Sequence, residues 1–313
     1  MKITSFNGDY EQLSELIQRS WAENGDSFLR YTPEFLQNAF AYPDTSFDLC
    51  PCIYDQGRLE AFMAGLPRHV IWNGNRAKLI LSTLLTSSPE RKGKGYGAWL
   101  WLELVKRSRR AAYDGMISIS VQGGPVNRIV DEGSRMLKLP SARVFQVRYL
   151  SLLLNGIAPA PAVSGNVDLF LKLASKSAAQ SPLRRVWSLE EAEWQCCKRS
   201  GAITAQEEDQ GACGMITGYV AEIIGPQTLC VLNVEDVLWD ELPPDGRNRL
   251  LRSFLAAGVA RGAQVASVPV TNATNYQPFK EAGFRSIRRL MNIYLTSWKG
   301  TAEPAESIYL DVF

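Results

Sequence analysis

"LLTSSPERKGKGYGAWLWLEL", residues 84–104, decides how the rest of the chain reads. A leucine- and threonine-rich run ends at Pro89-Glu90. Gly93, Gly95 and Gly97 then alternate with Lys94 and Tyr96, and an apolar segment with helical spacing follows at once. The first amides of a helix have no partner inside it, and the helix dipole leaves them partly positive. Glycines let such a backbone approach a bulky anion without a Cβ in the way, and Lys92 and Lys94 add charge. The stretch therefore reads as strand, anion-binding loop and helix, and a pyrophosphate is the ligand such a loop serves best. It is not a Walker loop, because no Gly-Lys-Ser/Thr closes it. It is not a dinucleotide fingerprint either, because the strand before it belongs to an antiparallel meander rather than opening a βαβ repeat.

That meander is legible in the turns. Residues 49–55, 58–72 and 76–87 have strand character, and Asp55-Gln-Gly57 and Asn73-Gly74 between them are hairpin chemistry. Upstream, a short strand at 1–7 leads into a helix capped by Asp9, with Leu13, Leu16, Ile17 and Trp21 on one face. A second helix opens with Thr32 as N-cap and Pro33 at its first position. Downstream, the helix after the glycine loop ends near Tyr113-Asp114-Gly115. A β-branched strand (116–123), a helical piece (125–138) stopped by Pro140, and a strand (142–154) follow. A meander that feeds a βαβ unit predicts one mixed sheet.

Residues 155–186, with Pro159, Pro161 and Pro182, read as a connection. The order then returns in weaker form. There is a helix at 188–199 with a Ser188/Glu191 capping box, then strands at 213–225 and 227–239. The loop PPDGRN, a helix at 249–262, a strand at 263–270, a short helix at 272–284 and a strand at 288–295 complete it. Strand–loop–helix–strand spans 76–121 in one half and 227–270 in the other, which predicts an internal duplication. The expected domains are 1–155 and 187–313, joined by 156–186.

Composition narrows the function classes. The chain has 313 residues, enough for two cores. Its net charge of +2 gives no global field of the kind that marks nucleic-acid binders, and the basic cluster Lys106–Arg110 reads as a solvated helix end. No apolar run is long enough for a membrane helix and no signal segment is evident, so a cytoplasmic protein is expected. The six cysteines form no CxxC pair, and the single histidine, His69, lies far from them in sequence. Neither a zinc site nor a Cys–His nucleophile is expected.

Residues 84–104 also resemble motif A of the GNAT acyltransferase superfamily. Pro89-Glu90 keep its spacing, Lys92 stands at its Arg/Gln position, and Gly95 and Gly97 are its two glycines. The second half resembles the family through "NATNYQPFKEAGF" (272–284), but its phosphate loop, "LPPDGRNRLL", retains only Gly246. The resemblance implies an α/β (α+β) chain of two tandem GNAT-like domains, each a mixed, mainly antiparallel sheet flanked by helices, with an intact loop only in the first. It implies that acetyl-CoA or another acyl-CoA lies where strands 76–87 and 116–122 splay apart. Backbone groups of Leu85, Thr86 and Ser87 would pair with the pantetheine arm. The amides of Lys92, Gly93, Lys94, Gly95, Tyr96, Gly97 and Ala98 would hold the pyrophosphate, and Asn127 would flank the cofactor. The acceptor, a small-molecule or peptide amine, would attack the thioester directly.

The family's usual catalytic pair is absent. The strand before the loop carries no carboxylate, and the family's tyrosine position is Ser134. Substitutes within the sequence are Glu60 as base, Ser134 or Tyr149 as hydrogen-bond donor, and Ser82 or Thr83 as a relay through water. The resemblance also offers the carboxylate of Phe313, since terminal carboxylates reach the cleft in some multidomain relatives. Glu235 and Asp236 sit on the matching strand of the second half, where a structural role is expected. Two rival readings stay open: a donor carried on an aminoacyl-tRNA or a carrier protein, and a CoA-binding protein without chemistry. Trp99 and Trp101 point to different sides of their helix, which leaves one for the core and the other for a domain contact or a homodimer.

Overall fold

The two hairpins follow from their turn residues. Gln56 and Gly57 take φ of 50° and 82°, and Asn73 and Gly74 take 47° and 81°. Paired left-handed residues match the twist of the flanking strands. The computed structural model describes residues 2–22, 27–162, 165–177, 179 and 181–311; Phe313 lies outside them. The elements in chain order are β1 (Ile3–Ser5), α1 (Tyr10–Ala22), β2 (Phe28–Leu29), α2 (Pro33–Phe40), β3 (Pro51–Asp55), β4 (Arg58–Trp72), β5 (Asn75–Ser87), α3 (Tyr96–Arg110), β6 (Gly115–Val121), α4 (Pro125–Leu137) and β7 (Ser141–Leu153). They continue as α5 (Val167–Ser177), β8 (Leu183–Arg185), α6 (Leu189–Glu193), β9 (Ala202–Asp209), β10 (Ala212–Ile224), β11 (Leu229–Leu238), α7 (Pro244–Ala260), β12 (Val265–Val270), α8 (Gln277–Glu281), β13 (Arg285–Ser297) and β14 (Ile308–Tyr309).

The chain divides into two units. The first comprises Met1–Gln146 and Leu290–Ala305, the second Val147–Arg289 and Glu306–Phe313. This differs from the boundary expected at 155, because β7 and β13 each run from one unit into the other. Among the described residues, no helix is long and apolar enough to cross a membrane.

In the first unit β1, β3, β4 and β5 pair antiparallel in sequence order. β5 then pairs parallel with β6, as a helical crossover requires. The far edge of β6 is closed by β13, antiparallel, from Val121↔Met291 to Gly115↔Ser297. One core packs Trp101, Leu100 and Leu104 of α3 against Ile53, Met63, Ile80 and Met116 of the sheet. On the other face α1 and α2 bury Leu13, Leu16, Ile17 and Leu36 against Phe62. Trp101 is fully buried, whereas Trp99 is half-exposed and stacks on Tyr96, with 5.7 Å between ring centroids.

The second unit repeats the plan. β9, β10 and β11 form an antiparallel meander, α7 follows, and β12 returns parallel to β11. The closing strand is β7, antiparallel to β12 from Val265↔Leu153 to Val270↔Arg148. Each unit is thus completed by a strand from the other half of the sequence. The duplication pattern did not contain that exchange, because pairing with a local strand and with a distant one have the same hydrophobic signature.

Other differences have local causes. β9 was not expected; its run "AITAQEED" is half-polar and forms a hairpin with β10 through Gln210-Gly211, both left-handed. α7 begins at Pro244 rather than 249, since a proline at the first helical position gives up an amide that would be unpaired anyway. The expected helix at 188–199 is one α-helical turn, α6, continued by a π-helical turn at Trp194–Lys198. The expected connection 156–186 carries α5, whose Phe170 is fully buried.

Two outcomes follow. A fragment of residues 1–155 lacks β13, so the edge of β6 is open. It should be insoluble or aggregated alone and recover on co-expression with 156–313, as read by size-exclusion chromatography. At Gly133, an added Cβ would lie 2.6 Å from the ring of Trp101. Alanine gains about 1 kcal/mol in helix propensity, but overpacking a fully buried indole costs about 1–3 kcal/mol. Gly133→Ala should therefore lower the melting temperature rather than raise it.

Candidate functional site

The glycine loop stands at the carboxyl end of β5, where the strand has lost one of its neighbours. β5 and β6 pair from Leu79↔Gly115 to Ser82↔Ser118 and no further. A 2.7 Å hydrogen bond between Ser82 Oγ and Ser118 Oγ lies at the last rung. On its other side β5 carries a bulge. Leu84 and Leu85 together oppose Met63, and Leu84 takes φ of 54°. A bulge bends a strand and increases its twist, so β5 diverges from β6 there. Past the bulge the Ser88 amide donates to the Glu60 carbonyl, 2.8 Å away. Backbone groups alternate along a strand, so those of Ser87 and Leu85 face the open side and those of Thr86 face β4.

A polar clasp holds the start of the loop. Ser88 Oγ donates to Glu60 Oε2, Arg91 Nε lies 3.7 Å from the same oxygen, and Arg91 also pairs with Asp55. Glu60 is buried on β4. Beyond the clasp, Gly93 and Gly95 take φ of 77° and 80°, and a Cβ on either would meet nothing within 4 Å. The loop is thus open to solvent on the side where these glycines turn. The first bond of α3 runs from the Trp99 amide to the Gly95 carbonyl, 3.1 Å, so the amides of Tyr96, Gly97 and Ala98 precede the bonded ladder. No acid stands in the first turn of α3, and no side chain caps it. Lys92 and Lys94 are exposed beside it, but their amides do not face an anion as expected: they donate to the Pro89 and Arg91 carbonyls at 3.1 and 3.2 Å. Gly97 has a different task from its two neighbours. A Cβ there would lie 3.0 Å from Ile129 Cδ1, so this glycine lets α4 pack closely on α3.

The remaining expected residues fall as follows. Ser134 is buried on α4, and its hydroxyl has no hydrogen-bond partner; the Thr86 hydroxyl on β5 is in the same state. Buried polar atoms without partners are rare, and both belong to elements that border the splay. Asn127 donates to the Val121 carbonyl at 3.1 Å and accepts from Ser120 Oγ, so its side chain ties α4 to the end of β6. Tyr149 lies in the second unit, opposite Pro269 in the β7–β12 ladder, and burial raises its pKa. Sequence reasoning missed Ser118, Ser120 and Arg91. The first two carry a faint signal, small hydroxyls at alternate positions in an otherwise apolar strand.

The buried cysteines carry thiols that their surroundings make less acidic. Cys50 is buried and its thiol is pushed up to about 12, chiefly by desolvation. Cys52 and Cys196 are buried and raised for the same reason. His69 sits in the β4–β5 ladder opposite Lys78. No group of metal-ligating side chains occurs among the described residues.

The matching place in the second unit has the same backbone plan and different side chains. β11 and β12 pair only over Val231–Asn233 and Val265–Ser267, and the β10–β11 ladder slips so that Glu235 is the extra residue. Beyond it, however, come Asp240 and Glu241, and Asp245 occupies the first turn of α7. The Arg247 guanidinium donates to the carbonyls of Leu242 and Asp240, both at 2.7 Å. A Cβ on Gly246 would lie 3.2 Å from the Asp209 carboxylate. Acids at a helix N-terminus repel an anion there.

No protein-family model matches the chain, and no curated protein matches it in sequence. Its three-dimensional structure does have relatives. N-myristoyltransferase from Saccharomyces cerevisiae, solved with bound myristoyl-CoA, superposes with a TM-score of 0.77 at 13% identity, over 96% of this chain and 79% of that one. A GCN5-related N-acetyltransferase from Anabaena variabilis superposes with a TM-score of 0.58 at 14% identity, over 94% and 72%. The chain has the GNAT fold. A conserved protein of Enterococcus faecalis V583, described as a probable N-acyltransferase, shares the GNAT fold with it at a TM-score of 0.52 and 9% identity, over 94% and 72%.

The clasp and the thiols each give a measurable outcome. Glu60→Ala strands the buried Ser88 hydroxyl and leaves Arg91 to Asp55 alone, which should cost about 1–3 kcal/mol, whereas Glu60→Gln, which keeps an acceptor, should cost less than half of that; thermal melts of the two variants decide. With a thiol reagent at pH 8, exposed Cys197 should react within minutes while Cys50 stays silent until the protein unfolds.

Proposed function

We propose that the protein is an acyl-CoA-dependent N-acyltransferase whose working site is the splay of the first unit. One observation carries the reading: the start of α3, with no acid in its first turn and no side-chain cap, stands at the mouth of two parallel strands that stop pairing at Ser82 and Ser118. The residues fit a CoA ester. The Tyr96, Gly97 and Ala98 amides and the Lys92 and Lys94 ammoniums would meet the pyrophosphate. The inward-facing backbone of Leu85 and Ser87 would pair with the pantetheine amides as a strand would. That the N-myristoyltransferase of the same fold was solved with an acyl-CoA supports this donor class; acetyl-CoA is the donor to test first.

The thioester supplies an activated acyl carbon. The acceptor nitrogen attacks that carbon, a C–N bond forms, the C–S bond breaks, the nitrogen loses a proton and the thiolate gains one. This chain's contribution is orientation first, since holding the reactants in line removes much of the barrier for an activated ester. The Ser134 hydroxyl, buried and without a protein partner, would donate a hydrogen bond to the departing sulfur. It is too weak an acid to give up its proton, so it stabilises charge rather than relaying it. Glu60 would hold the loop: as a base it would have to release both Ser88 and Arg91. Ser82, bonded to Ser118, would fix the depth to which the arm inserts.

Calorimetry with acetyl-CoA and with CoA tests the site. Gly95→Trp projects into open space and should abolish binding while the protein stays folded, at a cost of about 1–2 kcal/mol for the left-handed backbone. Gly97→Trp is a poor control, because it would collide with Ile129. Lys92→Ala combined with Lys94→Ala should weaken binding by about tenfold or more. Once an amine acceptor is found by thiol release, Ser134→Ala should lower kcat by about 10- to 100-fold with KM little changed. Unchanged binding in Gly95→Trp would remove the loop from the reading, and no binding of either ligand by the folded wild-type protein would overturn the acyl-CoA donor.

A further inference from the structure

The second splay does not stand open. Past the point where β11 and β12 stop pairing, the segment 306–311 bonds to β11 and to the residues that continue β12. The Ile308 amide donates to the Thr271 carbonyl at 3.1 Å, and Ile308 forms a parallel bridge with Asn272, just beyond the end of β12. The Tyr309 hydroxyl donates to Asp236 Oδ1 at 2.7 Å, on β11 one residue past the bulge. The segment is anchored from outside as well. Ile308 and Tyr309 pair parallel with Leu183 and Arg184 of β8, Trp187 Nε1 donates to the Tyr309 hydroxyl at 3.2 Å, and Asp311 pairs with the buried Arg185 at 3.1 Å. Ile308 is fully buried and Tyr309 nearly so. Burial and the Asp236 carboxylate keep the Tyr309 phenol protonated well above its ordinary range, so it remains a donor.

An extended main chain that bonds to the continuation of β12, with a side chain reaching β11, occupies the gap that the first unit leaves for a pantetheine arm, although its backbone bonds follow β12 where the arm in the first unit would follow β5. We infer that the second unit is a ligand cleft filled from within: segment 306–311 takes the place of the arm, and the chain binds one acyl-CoA, in the first unit only. This rests on the acyl-CoA reading of the first splay for the ligand count, but not for the filled cleft itself. The surroundings agree. The asset that makes the first splay attractive to a pyrophosphate, an acid-free helix start with lysines beside it, is absent here: Asp245 stands in the first turn of α7, and Asp240 and Glu241, the latter paired with Lys176, come just before it. The strand-facing carboxylate that remains, Asp236, is consumed by Thr217 at 2.6 Å, Gln195 at 2.9 Å and Tyr309.

Two measurements on the intact chain test it. Amide hydrogen exchange should show Ile308 protected to within about tenfold of the β11 amides. Tyr309→Phe, which deletes the bond to Asp236 and keeps the ring, should accelerate exchange at Ile308 by about 5- to 20-fold while leaving β5 and β6 amides unchanged. An unprotected Ile308, or one that Tyr309→Phe does not affect, overturns the filled cleft. Titration with acetyl-CoA should give a stoichiometry of one, with nothing left in Gly95→Trp. A stoichiometry of two overturns the inference outright. If wild-type protein binds no CoA ester at all, it is the proposed function that fails, and the Ile308 exchange still decides whether the cleft is filled.

Discussion

The rest of the site depends on where β5 and β6 stop holding each other. Four parallel rungs join them, the last at Ser82 and Ser118, whose hydroxyls are hydrogen-bonded across the gap. A sheet strand that loses its neighbour must find other partners for its amides and carbonyls or expose them. The bulge at Leu84–Leu85 makes the loss abrupt, and the β4 edge stays paired up to Ser88. β5 is therefore anchored on one side and unsatisfied on the other, over a stretch about as long as a short peptide. Every other feature of the first unit sharpens that asymmetry. The Glu60–Ser88–Arg91 clasp fixes where the strand ends, and the two left-handed glycines turn the chain so that α3 starts over the opening.

The two units show how little of such a site is backbone. Both have the meander, the bulge, the short parallel ladder and the crossover helix. What differs is charge and occupancy. Lys92 and Lys94 stand beside one helix start, and Asp245 stands in the first turn of the other, where the nearby Asp209 carboxylate is paired with Arg249 at 2.8 Å. In the second unit the buried acids are neutralised at home. Arg199 pairs with Glu235, its guanidinium also lies 3.8 Å from the Tyr219 ring centroid, and the Gln195 amide donates to both Glu235 and Asp236. Burial raises the Glu235 pKa against the pull of Arg199. Removing one member of such a network leaves an uncompensated buried charge, so the network also fixes how β11 sits.

Much of the plan was legible in the sequence, and the limits of that legibility are physical. Turns were readable because Asp55-Gln-Gly57 and Asn73-Gly74 satisfy a backbone requirement that few other residues can meet. The loop was readable because three alternating glycines in front of a helix cost stability unless something uses them. The separate role of Gly97 was not readable, since the need for a small residue came from Ile129 on another helix. Nor was the burial of Glu60: a single charge on a strand looks the same whether it faces water or a serine and an arginine far along the chain. α5 was hidden by the prolines around it, and α7 by a Pro-Pro-Asp-Gly run that reads as a loop but starts a helix. The exchange of β7 and β13 left no mark, because alternation records which face of a strand is buried and not which strand lies beside it.

That exchange sets a clock on biosynthesis. The edge of β6 is closed by residues that leave the ribosome about 170 positions after it, since Val121 pairs with Met291. At about 5–20 residues per second, the first unit waits roughly 10–30 seconds with a hydrophobic strand edge uncovered, while the second unit is being made. A tandem arrangement ordinarily lets the first domain fold as soon as it emerges. Here the first unit cannot close until β13 has been made, so the edge of its sheet stays uncovered while most of the second unit is synthesised.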